Sequence, residues 1–364
     1  MPILKKTVVQ DFRNIALQEL EFSPNLNCIS GNNGEGKTNL LDAIHYMSMT
    51  KSAFPAPDRF NFRYGSSGFS IGSTYRMESG LDSHFSIKVS EGGKRLVRDD
   101  KPVQRISSHI GTLPVVMVSP ADISLVSESG EERRRFANAV LSQMDREYLA
   151  AIQGYNRLLA QRNKMLKEPS PDWDLIQVFD ERMAASADPV FLGRRRLAED
   201  LLPVIRKYYG IISGGTEDVS VEYSSDLSRD ALVSILRRHR ERDAALGFTT
   251  AGLQRDDFHF LMDGHPIRRA GSQGQQKSFL VALKFAQYEI MRQSYGFFPT
   301  LLLDDVFDKL DYKRISNLIS MVAGSSFGQI FITDTSRERL SGIVDAVTDD
   351  RAYFNASGGE FQRI

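Results

Sequence analysis

The chain has 364 residues, 41% of them hydrophobic and 25% charged, which is enough for one large or two ordinary domains with a sizeable core. Its 46 basic residues balance 46 acidic ones, so the totals announce no nucleic-acid binder, and any such role must come from local patches or an assembly. No apolar run reaches bilayer-spanning length, the N-terminus lacks a secretory pattern, and Cys28 is the only cysteine, so we expect a cytoplasmic protein with no membrane partner.

Residues 1–118 read as strand-rich. Ile3–Val9 and Leu26–Ile29 are apolar and partly alternating, and the second leads into a glycine-rich loop followed by a helical pattern over Asn39–Met49. Phe69–Met77 and His84–Val89 read as strands joined by a polar turn, and Leu113–Val118 as a short strand ended by Ser119-Pro120. Residues 119–248 change period. Glu131–Lys167 has helical spacing, Leu175–Ala187 and Pro189–Tyr209 read as two further helices, Val219–Tyr223 as a strand and Arg229–Arg242 as a helix. From Phe248 strand and helix alternate: a helix over Gln276–Gln293, a buried strand Thr300–Leu303, a helix Leu310–Val322, a buried strand Gln329–Thr333 and a final segment Ala352–Gln362. Such alternation indicates an α/β sheet.

The glycine-rich loop is Gly31-Asn32-Asn33-Gly34-Glu35-Gly36-Lys37-Thr38, a full match to G-x-x-x-x-G-K-[ST] between a strand and a helix. Its glycines let the backbone approach phosphates closely. Successive N–H groups and the helix N-terminus form an anion nest. Lys37 is a mobile charge for the β- and γ-phosphates, and Thr38 offers a hydroxyl to Mg²⁺. The loop therefore points to a nucleoside triphosphate, ATP with Mg²⁺. The partner acids are Asp304 and Asp305, which end the apolar run Leu301–Leu303 and so fall at the carboxyl end of a central strand. Asp304 is the expected metal ligand beside Thr38. Asp305 is expected to orient or deprotonate an attacking water, with Lys37 as the second catalytic group. A third element, Gly271-Ser272-Gln273-Gly274-Gln275-Gln276, opens the long helix before the Leu301–Leu303 strand, and a Ser and Gly at a helix start suit an anion. That order is the order of ABC-type ATPases, whose Ser-Gly-Gly-Gln signature reaches the nucleotide held by the opposite subunit. Asp311 falls where they place their D-loop Asp.

Together these segments resemble the RecF family of the ABC/SMC class of ATPases. Further stretches carry the likeness: Phe12-Arg13-Asn14, Ser119-Pro120-Ala121-Asp122, Glu132-Arg133-Arg134-Arg135-Phe136, Thr250–Asp257, and Ser272–Gln276, which matches that family's Ser-Gln-Gly-Gln-Gln. The resemblance covers nearly the whole chain and is weakest over 165–245. It implies an ABC-type ATPase head built from 1–118 and 249–364, with a helical lobe inserted at 119–248. It also implies that Arg13 reaches the nucleotide. Asn14, Asn39, Ser272, Gly274, Gln275 and Asp311 are then read as nucleotide contacts beside 31–38. The implied function is DNA repair and recombination: binding double-stranded and gapped DNA, with RecR and RecO, to help load RecA, through an ATP-dependent homodimer. Three departures stand out. Leu253 and Gln254 occupy the family's Pro-His position. Ser119 lies near the place of the Q-loop glutamine, and Thr333, Asp334 and Thr335 lie where transporters carry a switch histidine. The last two imply slow, assembly-dependent hydrolysis.

The alternatives are other members of the class. A transporter ATPase would have a far shorter stretch between Lys37 and the signature, and a long-coil head would carry heptads that 119–248 lacks. A phage-defence ATPase would differ in not binding DNA when ATP is present. Arg133–Arg135, Arg194–Arg196, the group Arg237, Arg238, Arg240 and Arg242, and Lys94, Arg95, Arg98, Lys101 and Arg105 are the basic clusters that could meet DNA phosphates. For any one cluster a solvated, acid-balanced face is the commoner explanation.

Overall fold

The strands run β1 (Ile3–Phe12), β2 (Ile15–Glu21), β3 (Leu26–Ser30), β4 (Gly68–Arg76), β5 (Asp82–Ser90), β6 (Gly93–Arg98), β7 (Lys101–Pro102) and β8 (Val115–Val118). They continue as β9 (Val219–Ser224), β10 (Asp257–Met262), β11 (His265–Pro266), β12 (Thr300–Asp304), β13 (Ile330–Asp334), β14 (Arg351–Ser357) and β15 (Glu360–Arg363). This is a computed structural model that describes residues 1–54, 56–215, 217–306, 327–345 and 348–364. The helix expected over Leu310–Val322, and Asp311 with it, lies outside the described residues. Contacts divide the chain into two units. One comprises Met1–Ile123, Ile211–Gly214 and Lys284–Ile364, the other Ser124–Gly210 and Gly215–Leu283.

The first unit holds two six-stranded sheets. One has the order β2-β1-β4-β5-β6-β7 and is antiparallel. Its β5 shows why: Ser83, Phe85, Ile87 and Val89 face inward and alternate with exposed Asp82, His84, Ser86, Lys88 and Ser90, the period of a sheet with one wet face. The other sheet has the order β15-β14-β3-β13-β12-β8, parallel throughout except for the β14–β15 hairpin. Every residue of β3, β12 and β13 is buried, which explains the unbroken apolar runs Leu301–Leu303 and Ile330–Ile332. Helix Lys37–Met49 follows β3, and its Tyr46 packs edge-on against Phe69, with Phe12 beside it. A buried amide links the two sheets. Gln329 accepts from the Leu4 N–H and donates to the carbonyls of Leu4 and Ser23, at 2.7, 2.7 and 2.8 Å.

The second unit is mainly helical, with the small sheet β11-β10-β9. Four expected helices differ here. Glu131–Lys167 forms two helices, Gly130–Met144 and Arg146–Met165. Asp145 leaves helical geometry between them, and its carboxylate caps the N–H groups of Glu147 and Tyr148. Conversely, Leu175–Ala187 and Pro189–Tyr209 are one helix, Trp173–Ser213, with Pro189 and Pro203 inside it. Both prolines sit on the exposed side. Ile176, Met183, Ala187, Val190, Leu197, Leu201 and Ile205 continue a buried stripe on the other, and that burial outweighs the two missing N–H donors. Arg229–Arg242 is instead two short helices, Leu232–Arg238 and Arg240–Leu246, which meet at His239, where the imidazole Nδ1 pairs with the Thr250 hydroxyl at 2.9 Å. Among the described residues no helix is long and apolar enough to cross a membrane.

Candidate functional site

The loop from Gly31 to Thr38 leaves β3 at the carboxyl edge of the parallel sheet. Gly31, Gly34 and Gly36 have φ of 153°, 86° and 102°, the region that side-chain-bearing residues avoid. At two of them space is also closed. A Cβ on Gly31 would lie 2.5 Å from the Ala356 carbonyl oxygen, and one on Gly36 would lie 2.7 Å from the Asn14 side chain. Glu35 ties the loop down: its carbonyl accepts from Gly359 N–H at 3.0 Å and its carboxylate from Gly358 N–H. That latch comes from the β14–β15 turn, which lies far from the loop in the chain. Asn32, Asn33 and Gly34 remain exposed at the loop's crest. Lys37 is buried, and its ammonium donates to the carbonyls of Gly31 and Asn32 at 2.5 and 2.8 Å.

The strand order sets the rest. β13 lies between β3 and β12, so Ile29, Thr333 and Asp304 share one row across the sheet. Asp304, 2% exposed, accepts from the Thr38 hydroxyl at 2.8 and 3.0 Å and from the Thr333 hydroxyl at 2.7 Å. Thr333 in turn accepts from the Asp305 N–H at 3.0 Å, so one hydroxyl fixes both acids. Asp305 is held with φ 47° at the turn after β12. Burial pushes the Asp304 carboxyl above its usual range and the nearby Asp305 adds to that, while the two threonine hydroxyls and Lys37 oppose it. A buried carboxylate touching a threonine hydroxyl, with raised proton affinity, fits a hard divalent cation such as Mg²⁺, which takes few protein oxygens. In the sequence Thr333 stands out only by occupying the place of a switch histidine. Its role depends on cross-strand neighbours that sequence does not display.

Arg13 and Asn14 stand next to this loop. The Arg13 guanidinium meets Asn61 Oδ1 at 3.2 Å, Asn39 Oδ1 at 3.2 Å, Ser52 Oγ at 3.1 Å and Asp42 Oδ2 at 2.7 Å, with the Phe54 ring 5.1 Å away. Asn39 donates to Asn14 Oδ1 at 2.7 Å. Asp42 is buried on the loop's own helix, its carboxyl raised by burial and drawn down by Arg13.

The signature segment caps its own helix. Ser272 N–H donates to Gln275 Oε1 at 2.7 Å and Gln275 N–H to Ser272 Oγ at 3.3 Å, a reciprocal cap on helix Gln273–Tyr295. Gln275 also donates to Glu217 at 2.7 Å. Ser272 and Gln273 are exposed, and Gly274 lies one position on.

Most basic clusters turn out to be internal or acid-paired. Arg133 holds Asp257 through two bonds at 2.7 and 2.9 Å. Arg134 donates to the Asp256 carbonyl at 2.7 Å, and Arg135 pairs with Glu131 and Glu132. Arg194, 2% exposed, pairs with Asp256 at 2.6 Å. Arg195 and Arg196 face Glu199 and Asp200, and Arg238 meets Asp230 at 2.5 Å. Arg240 lies over Trp173. Asp256 and Asp257 thus anchor the helical unit. Gln254, in the family's His position, does the same: it accepts from the Tyr155 hydroxyl at 2.6 Å and donates to the Ala251 carbonyl at 2.7 Å.

A strand–loop–helix phosphate cradle beside an acid pair whose first member is buried, on a parallel sheet flanked in the same unit by an antiparallel one, defines a P-loop ATPase head of the ABC type. The AAA domain family matches residues 7–168. The DNA replication and repair protein RecF of Parabacteroides distasonis is 42% identical over 360 residues, covering 99% of each chain. A solved structure of the recombination mediator protein RecF with ATP, in the RecFOR pathway, superposes with a TM-score of 0.90 at 28% identity, covering 100% of this chain and 98% of that one. The Smc head domain of Pyrococcus furiosus shares the fold alone, with a TM-score of 0.58 at 14% identity, 100% of this chain and 96% of that one being covered. The chain belongs to the RecF family of DNA replication and repair proteins.

Proposed function

We propose that the chain is an ATP-dependent DNA-binding protein that acts in the cytoplasm at single-strand gaps, and helps RecO and RecR to load RecA. The observation that carries this reading is the end-to-end similarity to RecF proteins at about 40% identity. The nucleotide site supports it: Lys37 can exchange two backbone carbonyls for phosphate oxygens, and the Gly31–Gly36 backbone presents its N–H groups to the same anion. Thr38 and Asp304 would hold Mg²⁺, which offsets phosphate charge when bound. Asp305 would orient the attacking water, positioned by Thr333. Arg13, Asn14 and Asn39 would contact the nucleotide.

In this reading the functional lobes are 1–118 with 249–364, and 119–248. Ser272, Gly274, Gln275 and Asp311 act on the nucleotide of a second copy, so hydrolysis waits on dimerisation and is slow. The exposed, self-capped Ser272 favours this, because its interactions leave the segment on the surface. Sedimentation velocity tests it. ATP with Mg²⁺ should convert wild type from monomer to dimer and leave Ser272→Arg monomeric with nucleotide still bound. A wild type that stays monomeric at saturating ATP would overturn it.

A further inference from the structure

The turn between helix Lys37–Met49 and β4 carries an exposed run that no catalytic role absorbs. In Asp58-Arg59-Phe60-Asn61-Phe62-Arg63-Tyr64, Arg59 and Arg63 are exposed, Phe60 is 62% exposed and Tyr64 fully so. Arg59 lies over the Phe60 ring at 5.1 Å. Asp58, the only acid of the run, is already taken by Lys94 at 2.9 Å and the Tyr46 hydroxyl at 2.8 Å. Lys94 opens β6, so the run sits at that end of the antiparallel sheet. On the sheet's wet face there, Lys88 and Arg95 stand directly opposite each other across β5 and β6. Like charges so placed repel. Arg59, Arg63, Lys88 and Arg95 have no carboxylate partner among the described residues. This is the reverse of the acid-paired clusters in the helical unit. Cations interleaved with exposed rings suit a strand whose phosphates need neutralising and whose bases offer faces to stack on.

The same run leans on Arg13. Arg13 N–H donates to the Asn61 carbonyl at 2.8 Å, Arg63 N–H to the Asp11 carbonyl at 2.8 Å, and Arg13 Nε to Asn61 Oδ1 at 3.2 Å. Asn61 is buried, and its Nδ2 has no hydrogen-bond partner among the described residues. Arg13's N–H groups are engaged by Asn61, Asn39, Ser52 and Asp42. A move of the Arg13 guanidinium toward a phosphate therefore draws on its bond to the Asn61 side chain.

We propose that Arg59–Tyr64 is a contact for unpaired DNA, and that Asn61 ties its placement to the nucleotide site through Arg13. The proposal rests on the DNA-binding reading above. Fluorescence anisotropy with labelled gapped and intact duplexes, with and without ATP and Mg²⁺, tests it in the full chain. The Phe60→Ala/Tyr64→Ala variant should lose the preference for gapped over intact duplex by about tenfold. Arg59→Ser/Arg63→Ser should weaken both substrates and flatten the salt slope by about two. Both should bind a fluorescent ATP analogue and dimerise as wild type does. Asn61→Ala should bind gapped DNA with equal affinity in the presence and absence of ATP. Wild-type gap preference in the aromatic variant, or a wild-type salt slope in the arginine variant, would overturn the contact. Wild-type ATP dependence in Asn61→Ala would overturn the coupling. A wild-type chain that binds no DNA would overturn this proposal and the DNA-binding reading together.

Discussion

The segments 31–38 and 272–276 are both glycine-containing helix starts suited to anions, yet they are built differently. The first is held by the whole sheet: Gly31 abuts Ala356, Glu35 is latched by Gly358 and Gly359, and Thr38 is joined to Asp304 and through it to Thr333. The second is held locally, by the Ser272–Gln275 cap and the Gln275–Glu217 bond, and leaves Ser272 and Gln273 exposed. A site organised by its own chain can bind alone. A capped, exposed segment gains a purpose when something docks on it.

Several substitutions would break or sharpen that contrast. The largest effect should come from Ser272→Arg, which leaves the first segment intact. We expect nucleotide binding within about twofold of wild type and hydrolysis lower by at least about a hundredfold, because a contact made only in the assembled transition state is lost. Next is Thr333→Val, which removes the hydroxyl that fixes Asp304 and Asp305. Hydrolysis should drop about tenfold with little change in nucleotide affinity, read as a fall in kcat at constant KM. Asp304→Asn probes how costly the preorganised acid is. Burial raises its proton affinity in the folded chain, so wild-type stability declines as pH rises through that raised value. The nucleotide-free variant should therefore melt about 2–4 °C higher at neutral pH. The gain should vanish as pH falls to the ordinary carboxylate range, where Asp304 is protonated in the folded and the unfolded chain alike. The smallest effect belongs to Gln275→Ala, which removes half of the helix cap and the bond to Glu217. Denaturant unfolding should show a loss of about 1 kcal/mol.

The sequence displayed what is contiguous. Gly31–Thr38 is a local pattern with a local mechanism, and Leu301–Leu303 ending in two acids announces a buried strand. The antiparallel sheet was half legible: β5 alternates cleanly, but the polar outward faces of β2 and β6 dilute the pattern. What could not be read depends on pairing between distant segments. Thr333 acquires its role from lying between β3 and β12, and Glu35 from a hairpin more than 300 residues later. The prolines of helix Trp173–Ser213 misled for a related reason, since a buried stripe on the opposite face overrides a local break. Charge alone misled too: Arg133 and Arg194 sit in basic clusters yet serve as internal partners of Asp257 and Asp256.

If the nucleotide site is shared between two copies, two chains with different defects should complement each other. Lys37→Ala and Ser272→Arg chains should each be inactive in ATP hydrolysis, while an equimolar mixture should regain up to about a quarter of wild-type turnover. Half the dimers are then mixed, and each of these pairs one intact loop with one intact signature. Wild-type hydrolysis by Ser272→Arg alone, or a mixture as silent as its components, would contradict a shared site.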